Sequence, residues 1–214
     1  MRDVAKALLR AAAFVAVSPL LLSYAVRRTF IGNRAFEGSV QALSLIPGLL
    51  GDYLRRAFLT ATIARMDASA TVRFGTLMSD PRARLDANVY VGPGCHLGYV
   101  HIERDALIAS GAHIPSGGAT HGTEDAERPI RDQPITRTCV RIGEGAWIGS
   151  AAIVMADIGR HSVVGAGSVV TRPVPDYTVV AGVPARVIKT RVVSSGASGA
   201  PSPSLEPQAP SHRP

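Results

Sequence analysis

The stretch LDANVYVGPGCHLGYVHIERDALIASGAHI, residues 85–114, decides the fold. Leu85, Val91 and Leu97 stand six residues apart, and so do Ile102, Ile108 and Ile114. The same step recurs at Ile142, Ile148 and Val154, and again at Ile158, Val164 and Val170. A period of six fits neither the 3.6 of a helix nor the 2 of a strand. Four places after many of these aliphatics comes a second inward series of mostly small residues: Val89, Cys95, Ala106, Ala112, Ala146, Ala152, Ser162 and Ser168. Such spacing predicts an all-β solenoid in which three short strands close one triangular coil and stacked coils bury the aliphatic column. The register slips by one residue between Leu97 and Ile102 and by two between Val154 and Ile158. These slips read as shortened corners at Gly98-Tyr99 and Ala156-Asp157.

A chain of 214 residues with ordinary hydrophobicity can bury such a core without disulfides or metal. The net charge of +7 comes almost wholly from arginine, with lysine only at Lys6 and Lys189. The charges are scattered rather than patched, which argues against nucleic acid as a partner. Cys95 and Cys139 form no CxxC pair, and Cys95 falls at an inward position, where a buried reduced thiol fits a reducing compartment.

Three textures divide the chain: an apolar helical segment and cap over residues 1–60, the solenoid over 61–191, and a tail over 192–214. Residues Asp3 to Val26 read as helix, with an uncharged apolar stretch from Ala11 to Val26 between Arg10 and Arg27-Arg28. Crossing a bilayer takes about 20 apolar residues, so this stretch, interrupted at Pro19, is expected to be too short. A signal peptide is disfavoured because no small-residue cleavage site follows Leu22. Two readings stay open: peripheral membrane contact through residues 1–30, or a helix packed on the solenoid or on a partner subunit. Val40 to Leu59, broken at Pro47-Gly48, is expected to cap the first coil. Ala70 to Leu77 is a weakly periodic lead-in, and Val174 to Arg191 is expected to leave the repeat. The tail, rich in Ser, Pro, Ala and Gly, is expected to be disordered.

A coil has no spare residues, so a long insertion must project from a corner, where function concentrates. Between Ile114 and Ile142 lies PSGGATHGTEDAERPIRDQPITRTCVR, whose segment 115–139 forms the candidate active-site loop. Its single His121 stands among Gly117, Gly118 and Gly122, with Glu124 and Asp125 close behind. An imidazole, with an ordinary pKa near 6.5, is the natural proton acceptor for a hydroxyl attacking an acyl group at neutral pH. A solvated loop histidine is the plain alternative.

From Arg141 the chain reads RIGEGAWIGSAAIVM, then IGRHSVVGAGSVVTRPVPDYTVVAGVPARVIKTR from Ile158. The WIG triplet, VGAGSVVT, the Pro-Asp-Tyr turn and AGVPARVIK resemble the end signature of the hexapeptide-repeat acyltransferases. These are left-handed β-helix enzymes that include maltose, galactoside, xenobiotic and colanic-acid-type exopolysaccharide acetyltransferases. The resemblance covers Ala70 to Arg191. It implies a left-handed parallel β-helix, which departs from the usual right-handed crossover. It also implies a cytoplasmic homotrimer using acetyl-CoA as acyl donor and no metal, with His121 as general base acting on a saccharide hydroxyl.

On the same resemblance, Ser150 and Ala166 match places where backbone meets the pantetheine arm, and Thr171 with Arg172 lie near the nucleotide. Arg186 and Lys189 match phosphate-binding residues, and Trp147 matches an aromatic wall. The carboxylate that sugar acetyltransferases present near Leu97 has no counterpart here, and the Asp-Arg-His-Pro motif of serine acetyltransferases is absent, which disfavours serine as acceptor. Tyr99, His101 and His113 are candidates for an acceptor pocket. The segment FIGNRAFEGSVQALSLIPGLLGDYLRRAFL is similar to that of acyltransferases in surface-polysaccharide assembly, where a membrane-proximal glycan precursor is a sensible acceptor. Two rival classes remain. A non-catalytic trimeric scaffold would need none of these residues. A zinc-dependent carbonic-anhydrase-like solenoid would need a third imidazole beside His96 and His101.

Overall fold

A computed structural model describes residues 2–191, so the tail expected to be disordered lies outside the described residues. Short strands stack in parallel into the three walls of a β-helix. The first wall holds Arg65–Met66, Arg84–Leu85, Val100–Ile102 and Val140–Ile142. The second holds Thr71–Val72, Tyr90–Val91, Leu107–Ile108, Trp147–Ile148, Val163–Val164 and Thr178–Gly182. The third holds Leu77–Met78, His96–Leu97, His113–Ile114, Ile153–Val154 and Val169–Val170. In-register pairs such as Val91 with Ile108 and Ile148 with Val164 set like residues on like. Each of the twelve aliphatics in the six-residue series is at most 2% exposed, which makes the series itself the core.

The repeat reaches further both ways than the aliphatic series. Met66, Val72 and Met78 form a coil before Leu85, hidden from a count of branched residues because two of its inward positions are methionine. Val174 pairs with Ile158, and Val180 is buried beside Val164, so the expectation that the chain leaves the repeat at Val174 is corrected. Departure comes after Val180, where Ala185–Thr190 turns back antiparallel on Thr178–Gly182.

The corners are unequal. From Met78 onward, those entering the second and third walls place a residue in the left-handed region three positions before the inward residue. Asn88, Asp105, Ala151, His161 and Tyr177 do so with φ of 54° to 60°, and glycines such as Gly111 and Gly145 fill the same role without steric cost. No residue does so before Leu85, Ile102, Ile142, Ile158 or Val174, at the corner from the third wall to the first. All variation in step length falls there: seven residues from Met78 to Leu85, five from Leu97 to Ile102, twenty-eight from Ile114 to Ile142 and four from Val154 to Ile158.

Three helices close the open end: α1 (Arg2–Ile31), α2 (Arg34–Ser44) and α3 (Gly48–Thr62). Val40 and Leu43 of α2 with Phe58 and Leu59 of α3 meet Val72 and Met78 of the first coil. Phe58 stacks on Phe36 at 6.3 Å and takes the edge of Tyr24 from α1 at 5.6 Å. At the junction Arg55 is buried, donating to the carbonyls of Leu43 in the last turn of α2, of Ile46 just beyond it, and of Val72 in the first coil. Its charge meets Asp52 at 2.6 Å, and Asp52 also pairs with Arg73.

The expected interruption of α1 at Pro19 is also corrected. The helix runs unbroken through it, because the carbonyl of Val15 that Pro19 cannot reach accepts the Ser18 hydroxyl at 2.7 Å instead. Within Lys6–Ile31, 26 residues, an 18-residue window has a mean hydropathy of 1.7, so by length and composition the helix could cross a membrane, against the expectation of too short a span.

Removing one partner of a buried ion pair strands the other charge. Asp52→Ala is expected to lower unfolding free energy by about 3–5 kcal/mol, read from urea denaturation.

Candidate active site

The loop after His113–Ile114 is a built arm. Its two strands zip together through Thr138 N–H to Ser116 O, Thr136 N–H to Thr120 O and Gly122 N–H to Pro134 O, all at 2.9 Å. Gly117, at φ 91°, lets the outgoing strand leave against Thr138, where a Cβ would sit 3.1 Å from the threonine Cβ. The tip is pinned by Gln133, which is buried and donates to the carbonyls of Asp125 at 2.8 Å and Arg128 at 2.9 Å. Asp125 in turn accepts the N–H groups of Glu127 and Arg128. Asp125 is thus a turn-forming residue. Gln133 had no signal in the sequence beyond its place before Pro134.

His121 sits on the outgoing arm, exposed and bridged to Ile135. It borders an open hollow of about 500 Å³ with Glu124, Asp125 and Arg128. Its neighbour Thr120 lines a different cavity of about 330 Å³, walled by Glu37 and Gln41 of α2, His96 and His113 of the third wall, and Arg137 of the returning arm. Adjacent residues of one arm, Thr120 and His121, thus line two different hollows.

His96 and His113 are register partners in successive coils, their rings tilted by 44° with centroids 5.4 Å apart. Burial, and secondarily the neighbouring His96, hold the His113 imidazole below the ordinary histidine range, so it stays neutral at pH 7. Of the three acceptor-pocket candidates, His113 alone lines this cavity. Tyr99 lies under the Arg82 guanidinium at 4.1 Å, and His101 contacts Asp86 at 3.0 Å on the first wall. The pairing of His96 with His101 as zinc ligands is overturned, because the two stand on different walls. Among the described residues no group of three or more His, Cys, Asp or Glu is gathered as metal ligands.

Ser150 and Ala166 stack in consecutive coils at the corner between second and third walls, where Gly167 N–H donates to Ser150 O at 2.8 Å. Gly149 permits that approach, since a Cβ there would fall 2.5 Å from the Ala166 nitrogen. Arg186 pairs with Ala181, at the end of the second-wall strand nearest this corner. Trp147 points outward, half exposed, in one row with Val163, Val179 and Lys189. Thr171 and Arg172 follow Val169–Val170, at the far end of the third-wall strands, the end from which the His121 loop also leaves. One chain therefore gathers Ser150, Ala166 and Arg186 at one corner and Trp147 with Lys189 on the adjoining face, while His121 departs from another corner.

A family model described as the hexapeptide repeat of succinyl-transferase matches residues 139–172. WbbJ of Escherichia coli K12, provisionally named a lipopolysaccharide biosynthesis O-acetyl transferase, is 38% identical over 114 residues, covering 48% of this chain and 57% of its own. Matches to the first curated relatives cover between 26% and 57% of their lengths. Among solved structures, a maltose O-acetyltransferase from Clostridium difficile 630 superposes with a TM-score of 0.66 at 22% identity, over 76% of this chain and 88% of that one. A galactoside acetyltransferase in complex with coenzyme A gives 0.60 at 23% identity, over 74% and 80%.

Titration of the histidines by NMR is expected to give His113 a midpoint below about 6.5. His96→Asn should move that midpoint upward but leave it below the ordinary value, since burial is the larger cause.

Proposed function

We propose that this member of the hexapeptide-repeat acyltransferases transfers an acetyl group from acetyl-CoA to a saccharide hydroxyl in surface or exopolysaccharide assembly. His121 is the base and a homotrimer the working unit. The observation that carries the reading is the His121 arm itself. Among the described residues it is the one long excursion from the coil, and Gln133 and the paired strands hold it in shape while its imidazole stays exposed.

In the reaction His121 takes the proton of the acceptor hydroxyl as that oxygen attacks the thioester carbonyl. The tetrahedral intermediate then collapses with cleavage of the carbon–sulfur bond, and the departing thiolate recovers the proton. The corner at Ser150 and Ala166 offers exposed backbone to the amides of the pantetheine arm, and Trp147 gives an apolar wall beside it. Arg172, Arg186 and Lys189 are the cations for the phosphates, with Thr171 beside the nucleotide. Because His121 leaves from a different corner, the arm of a neighbouring copy completes the site in this reading, which is why a trimer is part of the proposal. The cavity of Glu37, Gln41, His96, His113 and Arg137 offers the neutral and charged hydrogen-bonding groups that suit a polyhydroxyl acceptor. Dependence on acetyl-CoA puts the chain on the cytoplasmic side.

Calorimetric titration of acetyl-CoA is expected to show one saturable site per chain. His121→Ala should retain that binding and the oligomeric state while turnover of a saccharide acceptor falls at least about a hundredfold. Near-normal turnover would remove His121 from the mechanism, and acetylation of serine in preference to any saccharide would overturn the acceptor class.

A further inference from the structure

A pocket of about 160 Å³ opens where α1, α3 and the first coil meet. It shares no residue with the two hollows at the His121 arm. Arg10 and Phe14 enter it from α1, one turn apart. Tyr53, Arg56 and Ala57 enter from α3 at the three- and four-residue steps that share one helix face, and Met66 closes it from the coil. Its walls carry two guanidiniums and no carboxylate.

Each guanidinium is held by part of its fork. Arg10 donates through Nη2 to the Ala68 carbonyl at 3.0 Å. Arg56, half-buried, donates through Nε to Ala70 O at 2.8 Å and through Nη2 to Thr71 Oγ1 at 3.0 Å, and lies over the Tyr53 ring at 5.6 Å. All these partners are neutral, so they aim the charges without balancing them. Among the described residues neither guanidinium is paired with a carboxylate. Asp52 and Asp67, whose charges reach Arg56 and Arg10, are engaged elsewhere. Asp52 holds Arg55 and Arg73, and Asp67 accepts the N–H and hydroxyl of Ser69. Burial first, and then the neighbouring Arg10, press the Arg56 guanidinium below its usual range, as two like charges kept close require.

We infer that this pocket is a phosphate site, in which Arg10 of α1 and Arg56 of α3 grip one tetrahedral oxyanion between them. A carboxylate is planar, and a single guanidinium satisfies it through two parallel bonds. Two guanidiniums arriving from different helices suit an anion whose oxygens point in several directions. Beyond the bonds just given, Arg10 keeps Nε and Nη1 for it and Arg56 keeps Nη1. The apolar walls of Phe14, Ala57 and Met66 screen little, so each contact is worth more than on open surface. A bound phosphate cancels the repulsion between the two cations and ties α1 to α3, so the cap is stiffer with the ligand than without it. Inorganic phosphate and the phosphate monoester headgroup of a lipid present the same group. The site stands irrespective of the acyl-transfer reading and uses none of its residues.

Inorganic phosphate, and separately dihexanoyl phosphatidic acid below its micelle concentration, titrated calorimetrically into the full chain at constant ionic strength, test this. One saturable site per chain is expected for at least one probe, with a higher melting temperature in its presence. Lipid bound at least about tenfold tighter than phosphate identifies a headgroup as the source, and phosphate bound as well or better identifies the free ion. Arg10→Gln, and separately Arg56→Lys, which keeps the charge but loses the fork, should each weaken binding at least about tenfold and leave acetyl-CoA binding unchanged. Arg10→Gln decides the matter if Arg56→Lys lowers the melting temperature of the ligand-free chain. Binding of neither probe overturns the inference, as does binding that survives Arg10→Gln. Displacement of the probe by acetyl-CoA also overturns it, assigning these cations to the phosphates of the acyl donor. Acetyl-CoA binding in the absence of either probe reports on the transferase reading separately.

Discussion

The triangular interior takes one aliphatic at a fixed place on each wall of each coil, and this steric constraint governs the molecule. A branched aliphatic at each such place fills the section, and the small residue four positions later lets the chain turn without crowding it. Each burial is worth about 1.5–3 kcal/mol, too little to hold a two-residue strand by itself. Stability comes from stacking Ile108 on Val91 and Ile148 on Ile108, coil after coil. An end without a neighbour would leave that column wet. Phe36, Phe58 and Leu59 exist to cover it, and Arg55 donates to backbone carbonyls where helix meets coil.

The coil was legible because its constraint repeats in the sequence at a fixed step. The twelve aliphatics, both shortened corners and the loop that departs from them could all be read without coordinates. What escaped had local causes. Met66 and Met78 do the work of aliphatics without their shape, and Val174 sits between Pro173 and Pro175, which resemble an ending. Pro19 carries a rule about helix breaking that the neighbouring Ser18 cancels through one hydrogen bond. The order within the loop depends on Gln133 reaching back to Asp125 and Arg128, contacts with no periodicity to betray them.

The candidate site was legible by residue type and less so by arrangement. Trp147, Ser150 and Ala166 could be named from the ending, but the stacking of Ser150 and Ala166 at one corner, beside the face that carries Trp147, follows from coil geometry. The histidine pair went the other way. His96 and His101 are close in sequence and stand on different walls, whereas His96 and His113 are seventeen residues apart and touch. In a solenoid, proximity is measured in whole coils.

The inequality of the corners has a consequence for what this architecture can become. Two edges of the prism are locked by left-handed residues and a fixed count, so an added residue there would turn every later aliphatic out of the interior. The third edge carries no such lock and already accommodates steps from four to twenty-eight residues. Along this seam evolution or an engineer can splice new segments without retuning the rest. Any two such additions emerge from the same edge, one above another, so new surfaces acquired separately are neighbours from the start.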